Sequence, residues 1–229
     1  MVTLSELIHR ESYYENMNKL DLASRSYKNN QEAFTDFLKN IRKPSIEEQL
    51  VIQLAIKYAN SFTQNYPMFK EIEWKIMITE NSVEGELPHT HADMIFLPSS
   101  HVKKVSASLI NTLIHEKIHV FQRLHPCECN MLYTKYWGFS FDSINYGENS
   151  MTRSNPDINQ IIYNDENNHA IIAMYKSLDS PRLSDITDTR DHPHEMMAYL
   201  ISCIITQKEA PAGMTKYVQS TKEWMLTYF

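Results

Sequence analysis

Glycine is scarce in this chain: only 4 of the 229 residues are glycine, against 9 prolines. Neither G-x-x-x-x-G-K nor G-x-G-x-x-G occurs, and these are the loops whose backbone amides hold nucleotide phosphates. A nucleotide-phosphate site of the usual kind is therefore excluded. The scarcity of glycine also disfavours an all-β fold with many tight turns.

Cysteines and long apolar runs are also few. Cys127, Cys129 and Cys203 make an odd set, which predicts free thiols in a reducing compartment rather than a disulfide framework. Residues 1–19 contain acidic and basic side chains and lack the apolar segment of a secretory signal. No apolar run approaches the 18 residues that a membrane helix needs. We therefore predict a soluble, cytoplasmic protein without a membrane partner.

An excess of positive charge is missing as well. The net charge is −6 and the sequence pI about 5.9, with no basic stripe that would neutralise phosphates, so we expect no nucleic-acid partner. Hydrophobic residues make up 42% and charged residues 22%, which is typical of globular proteins. A chain of this length buries a sizeable core without disulfides.

The periodicity predicts an α+β fold, predominantly helical with a small β-sheet. Residues 1–70 read as a helical N-terminal portion, where a capping box at Ser45 and Glu48 begins a helix that ends before Tyr66-Pro67. Residues 71–229 contain two β-rich runs at 74–79 and 93–97 and a long helix at 103–124. They also contain helices from Pro193 to about residue 206 and over 213–228. We expect a single domain over 1–229.

Ile46, Leu50, Leu54 and Tyr58 fall on one face of the helix that begins after Ser45. Residues 127–168 lack clear periodicity, apart from short helical hints at 156–163, and a segment of that length is more often functional than idle.

The long helix contains His115-Glu116-Lys117-Ile118-His119, an H-E-x-x-H motif. Residues four apart lie on the same helical face, so both imidazoles can reach one metal ion. Glu116 lies beside the open position of that metal, where it can take a proton from water and pass it to a leaving amine. Two imidazoles with a carboxylate suit Zn²⁺, which brings no redox chemistry.

Residues 112–121 resemble the active-site helix of zincin metallopeptidases, in which hydrophobic residues flank the motif. Lys117 departs from that pattern, because the position after the glutamate is usually uncharged there. The resemblance implies a zincin-like fold, one zinc ion per chain, and hydrolysis of peptide bonds. It also implies that residues 93–97 form an edge strand that pairs with an extended substrate.

The third metal ligand is open to several readings. In gluzincins it is a glutamate on a later helix, and Glu195-Met196-Met197-Ala198 resembles that E-x-x-A segment. In metzincins it is a histidine six residues after the second, where His125 stands, although Gln122 occupies the position of the turning glycine. We favour Glu195; the remaining alternatives are His125, His169, Glu166, His192 and His194.

The sequence thus predicts a zinc metallopeptidase that acts on a peptide or protein substrate. His115, His119 and Glu195 would be its metal ligands and Glu116 its general base. The alternatives are a non-peptidase zinc amidohydrolase and a non-enzymatic interaction protein with a structural zinc. An oxyanion stabiliser is needed in this reaction class, and the candidates are Tyr146, Arg153, Tyr163 and Tyr199.

Overall fold

A computed structural model describes residues 13–80, 83–144, 151–187 and 192–228. The helices in these ranges are α1 (Lys19–Ser24), α2 (Asn30–Lys39), α3 (Ile46–Thr63), α4 (Pro67–Glu71), α5 (Ala107–Leu124), α6 (Pro126–Met131), α7 (Pro193–Thr206) and α8 (Val218–Tyr228). The strands are β1 (Ile41–Arg42), β2 (Ile76–Thr79), β3 (His89–His91), β4 (Met94–Pro98), β5 (Ser140–Ile144), β6 (Ile161–Asn164) and β7 (Ala170–Ile171). The α+β class is confirmed. No described helix is both long and apolar enough to cross a membrane.

Helix α3 begins with the predicted capping box. The Ser45 side chain accepts from the Glu48 amide, and the Glu48 carboxylate accepts from the Ser45 amide at 2.7 Å, which satisfies two free N–H groups of the first turn. The helix ends at Thr63, before Pro67, because the residue preceding a proline is disfavoured in helical conformation.

The predicted apolar face of α3 points outward. Ile46, Leu50, Leu54 and Tyr58 are exposed. The face that packs on the rest of the molecule consists of the buried Ile52, Ala55, Ala59 and Thr63, with Val51 and Ile56 partly buried beside them.

The first sheet has the strand order β1-β2-β4-β3, with β2 and β4 parallel and the other pairs antiparallel. The prediction that residues 93–97 form an edge strand is wrong, because β4 lies between β2 and β3. The chain reverses at Ala92, which has a φ of 52°, so that His89–His91 folds back on β4 and becomes the edge. A two-residue reversal of this kind joins antiparallel strands.

The segment 127–168 is more regular than its sequence indicates. It contributes α6, β5 and β6, and β5, β6 and β7 form a second antiparallel sheet. The helical hint at 156–163 is wrong: Ile161, Ile162 and Tyr163 lie in a strand, in keeping with the preference of β-branched and aromatic residues for sheets.

Helix α5 lies at the centre of the larger core and packs against α7, α3 and the sheet. Leu113, Ile118 and Phe121 of α5 and Met197 and Ile201 of α7 are fully buried. The pairing of α5 with α7 brings two segments together that are about 75 residues apart in sequence, and the candidate site lies where they meet.

Candidate metal centre

Helix α5 presents both histidines of the motif to one point. The Ser106 side chain caps the helix by accepting from the Leu109 amide, and the helix continues without interruption to Leu124. His115 and His119 therefore lie one turn apart, as four-residue spacing requires. Their Nε2 atoms are 3.1 Å apart.

Glu195 reaches the same point from α7. Its Oε2 atom lies 3.4 Å from His115 Nε2, and its Oε1 atom lies 3.7 Å from His119 Nε2. One ligand atom from each of the three residues lies within 4.8 Å of the other two. The structure thus brings together the three residues that the sequence favours as metal ligands.

Asn155 holds the Glu195 carboxylate in place by donating from Nδ2 to Oε1 at 2.8 Å. Burial alone would raise the pKa of this carboxyl. The adjacent His119 and His115 imidazoles and the Asn155 amide nevertheless hold the pKa well below its usual range. The carboxylate is therefore ionised, which is the form that binds a cation.

Gln122 determines which nitrogen of His119 faces the cluster. Its Nε2 donates to the His194 carbonyl at 2.8 Å, so its Oε1 is turned to His119 Nδ1, also at 2.8 Å. An amide oxygen only accepts hydrogen bonds, so Nδ1 of His119 carries the proton and Nε2 presents its lone pair to the cluster. Metal-binding histidines are typically oriented by a contact of this kind.

Glu116 lies beside the triad and is buried, with 4% of its surface exposed. Its Oε2 atom accepts no hydrogen bond within the described part of the chain. Burial, reinforced by the nearby carboxylates of Asp157 and Glu195, raises the pKa of Glu116 well above its usual range. This carboxyl can therefore exchange a proton rather than serve as a permanently ionised group.

Asp157 belongs to the site although its sequence context predicts only a turn. Its Oδ1 accepts from the backbone amide of Thr90 at 2.7 Å and from the Thr90 hydroxyl at 2.5 Å. Ligand atoms of Glu116, His119 and Asp157 all lie within 4.8 Å of one another. Sequence reasoning missed Asp157 and Asn155, because their only signal was a run of polar residues in a segment without periodicity. It also missed the role of Gln122, which it considered only as the residue at the position of the turning glycine.

Two residues of the triad, His115 and Glu195, line a cleft of about 480 Å³, which is within the range that holds a small ligand or a few residues of a peptide. Glu116 and residues 153–157 also line it. Tyr199 stands at the edge, its ring centroid 4.6 Å from that of His115. The remaining lining residues are Arg25, Glu84, Leu87, Pro88, His89, Asn111, Thr112, Leu183, Ser184 and Ile186.

The edge strand β3 is closed to pairing with a further strand at its middle residue, Thr90, because both backbone groups of this residue already have hydrogen-bond partners. The Thr90 amide donates to Asp157, and the Thr90 carbonyl accepts from Arg123 Nη2 at 3.0 Å. Arg123 also contacts the Thr90 hydroxyl and donates to the Pro156 carbonyl at 2.6 Å. Both backbone groups are thus bound to side chains, so a substrate backbone cannot pair with them as an added strand.

The other candidates for third ligand lie elsewhere or serve other contacts. His125 caps the end of α5 and stacks on Phe121 with ring centroids 4.5 Å apart. His169 is exposed beside Asp165, and Glu166 is bound to Lys216 and Tyr217.

His192 and His194 lie nearer to the triad, but their ring nitrogens already have partners. The His192 ring accepts from the His194 amide and contacts the Ile161 carbonyl. The His194 ring contacts the Asp157 carbonyl and the Asn159 amide. Burial lowers the pKa of both imidazoles, which favours the neutral form that these structural contacts need.

Among the candidate oxyanion stabilisers, Tyr199 and Arg153 line the cleft. Tyr163 is buried away from it and donates to Asn130 at 3.2 Å. Tyr146 lies outside the described residues.

Lys117, the charged residue within the motif, does not enter the cleft. Its Nζ lies 4.1 Å from the centre of the Trp74 ring, on the opposite side of α5 from the histidines, and burial lowers its pKa to about 8. The three cysteines form no disulfide.

In comparisons with known proteins, no family model, curated protein or solved structure matches this chain.

Proposed function

We propose that this chain is a zinc-dependent hydrolase of amide bonds, a metallopeptidase of zincin-like, gluzincin type. One observation carries the proposal: His115 Nε2, His119 Nε2 and a Glu195 oxygen lie within 4.8 Å of one another, and His115, Glu195 and the adjacent Glu116 line an open cleft. Two imidazoles and one carboxylate are a known ligand set of catalytic zinc.

The residues present fit such an ion. Gln122 orients the His119 lone pair and Asn155 orients the Glu195 carboxylate, as is usual around catalytic metals. Three protein ligands leave a fourth position for substrate or water, and two of the ligands, His115 and Glu195, line the cleft. This openness favours a catalytic role over a structural zinc, whose site is closed by four ligands.

When bound, zinc would polarise the substrate carbonyl and acidify a water molecule at its open position. The chain itself would supply the proton transfer. Glu116 would take a proton from that water as it attacks the carbonyl carbon, and would deliver it to the amine nitrogen as the carbon–nitrogen bond breaks. Tyr199, which lines the cleft with its ring centroid 4.6 Å from that of His115, would donate to the carbonyl oxygen.

Zinc content tests the proposal directly. The purified chain should contain about one zinc ion, and His115→Ala and His119→Ala should each lose it, because two remaining ligands hold zinc poorly. His125→Ala is the matched control and should retain zinc, since His125 stacks on Phe121 away from the triad. A wild-type chain without stoichiometric zinc, or loss of zinc from the control, would contradict the proposal.

A second candidate is a hydrolase of small amides rather than of extended peptides. The closed backbone of Thr90 favours it, because the substrate must then be held by cleft side chains instead of by strand pairing. An assay of chelator-sensitive cleavage, run in parallel on a mixed peptide library and on a set of short acylated amino acids, separates the two. Turnover of long peptides alone would exclude the small-amide function.

A further inference from the structure

Helix α1 holds a distant segment of the chain through a buried carboxylate. The Asp21 side chain is fully buried. Its Oδ1 accepts from the Ser154 amide at 2.8 Å, and its Oδ2 accepts from the Ser154 hydroxyl at 2.6 Å. Tyr175 donates from its hydroxyl to the same Oδ1 at 2.8 Å. Asp21 and Ser154 are 133 positions apart in sequence, so these contacts join the N-terminal portion of the chain to a residue that lines the cleft.

The two residues that cap α1 bind the same segment. Asn18, the N-cap, donates from Nδ2 to the Thr152 carbonyl at 2.7 Å. Arg25, the C-cap, donates from Nη2 to the Ser154 carbonyl at 3.0 Å. The amide, the hydroxyl and the carbonyl of Ser154 are thus all hydrogen-bonded to Asp21 or Arg25.

These contacts include a buried ion pair. Arg25 Nη1 lies 3.5 Å from Asp21 Oδ1, and Arg25 Nε lies 2.9 Å from the Glu84 carboxylate. Buried ion pairs are often no more stabilising than apolar side chains of the same size, and their best-attested use is to specify one arrangement of the chain. Here the arrangement that the charges specify is the position of residues 152–154.

That position matters because Asn155 comes directly after Ser154. Asn155 donates to Glu195 Oε1 at 2.8 Å. On its C-terminal side the chain is held at Asp157 by the amide and hydroxyl of Thr90. Asn155 therefore lies between two anchors, and α1 supplies the anchor on the N-terminal side. A residue that orients a metal ligand does so only while its own position is held by its surroundings.

We propose that Asp21 is a positioning residue of the metal centre. By holding Ser154, it keeps the adjacent Asn155 where the Asn155 amide orients the Glu195 carboxylate. This inference rests on the proposed function, because it takes Glu195 as a zinc ligand. It gives the N-terminal portion of the chain, which contains none of the three proposed ligands, a part in binding the metal.

Zinc affinity, measured by competition with a chromophoric chelator, tests the proposal. Asp21→Asn keeps the size of the side chain but puts an amide nitrogen in place of one accepting oxygen. It should weaken zinc binding by about 10-fold, the lower end of the usual loss for an outer partner of a metal ligand. Asp36→Asn is the matched control, since Asp36 accepts from Tyr27 and Asn40 within the N-terminal portion, and it should bind zinc like the wild type.

A double-mutant cycle separates positioning from a general loss of stability. Asn155→Ala removes the group through which Asp21 acts, so the further change Asp21→Asn should weaken zinc binding little more. A purely structural role of Asp21 predicts instead that the two losses multiply. Circular dichroism verifies that each variant folds. Ser154→Ala is the milder variant: it removes only the hydroxyl contact with Asp21 and should weaken zinc binding severalfold.

Hydrogen exchange in the zinc-free chain tests the anchor without the metal. The Ser154 amide should exchange at least about 10-fold faster in Asp21→Asn than in the wild type, because it loses its acceptor. An unchanged exchange rate would overturn the inference, and so would losses of zinc affinity that multiply in the cycle or an equal loss in Asp36→Asn.

Unchanged zinc affinity in folded Asp21→Asn would likewise overturn the inference, and Ser154→Ala decides this point if Asp21→Asn does not fold. Each of these results leaves the proposed function standing as long as the wild-type chain binds zinc. A wild-type chain that binds no zinc would overturn the proposed function, and this inference with it.

Discussion

At the scale of single residues, the proposed mechanism separates metal binding from proton transfer. Neighbouring positions of one helix would carry the two tasks, since His115 lies beside Glu195 and Glu116 beside Asp157. This division predicts that each task can be removed alone.

Glu116→Gln should leave the zinc content unchanged and lower turnover by at least about 100-fold, because the amide keeps the shape of the side chain but cannot accept the proton. Metal analysis together with kcat on the best substrate measures both effects. Glu128→Gln on α6 serves as the control and should be as active as the wild type. Retention of activity in Glu116→Gln would refute the assigned role.

Gln122→Met should weaken zinc binding by about 10- to 100-fold, the usual effect of losing the partner of a metal-binding histidine. Gln122→Glu should preserve most of the affinity, since a carboxylate still accepts from His119 Nδ1. Competition with a chromophoric chelator measures both constants. Equal affinities in the two variants would show that the contact at 2.8 Å does not orient the ring for metal.

At the scale of secondary-structure elements, Glu48 joins β1 to the start of α3. It closes the capping box and binds the Arg42 guanidinium at 2.6 and 2.8 Å. That guanidinium lowers the pKa of Glu48 to about 2 from its usual 4.5. As the pH falls, the Glu48 carboxylate is therefore protonated in the unfolded chain before it is protonated in the folded chain. The stabilisation of the folded state by this ion pair is complete above about pH 4.5 and is lost as the pH approaches 2.

Glu48→Gln should accordingly lower the free energy of unfolding by about 1 kcal/mol at pH 7, and the difference from wild type should vanish near pH 2. Urea unfolding at several pH values gives the profile. Glu71→Gln, at an exposed position on α4, should show no such dependence. A difference that persists at low pH would point to packing rather than charge.

At the scale of the whole molecule, the proposed zinc would tie α5 to α7 across about 75 residues of chain. Because zinc would bind the folded form alone, a free concentration about 1,000 times its dissociation constant adds about 4 kcal/mol to the free energy of unfolding. Removal of zinc should lower the melting temperature by several degrees, and re-addition should restore it. His119→Ala should show no shift in either direction, and a shift in that variant would place the bound metal elsewhere.

The limits of prediction follow from how far apart in sequence the interacting residues lie. Two features depend only on neighbours within a turn or two: the helix that carries His115 and His119, and the helix cap at Ser45. The structure contains both. Glu195 was favoured through its local E-x-x-A pattern. Asn155 and Asp157 come from a segment whose position is determined by Arg123 and Thr90, so no local pattern distinguishes them. The edge position of β3 and the outward face of α3 likewise depend on tertiary packing.

The hydrogen-bonded backbone of Thr90 also protects the molecule from self-association through its four-stranded sheet. A bare strand edge recruits other chains into β-aggregates. Here one edge of the four-stranded sheet is the two-residue β1, and the other is sealed by Asp157 and Arg123. Pairing of other chains with the four-stranded sheet should therefore begin only after residues 153–157 detach, and proteolytic nicking in that segment would be its earliest sign.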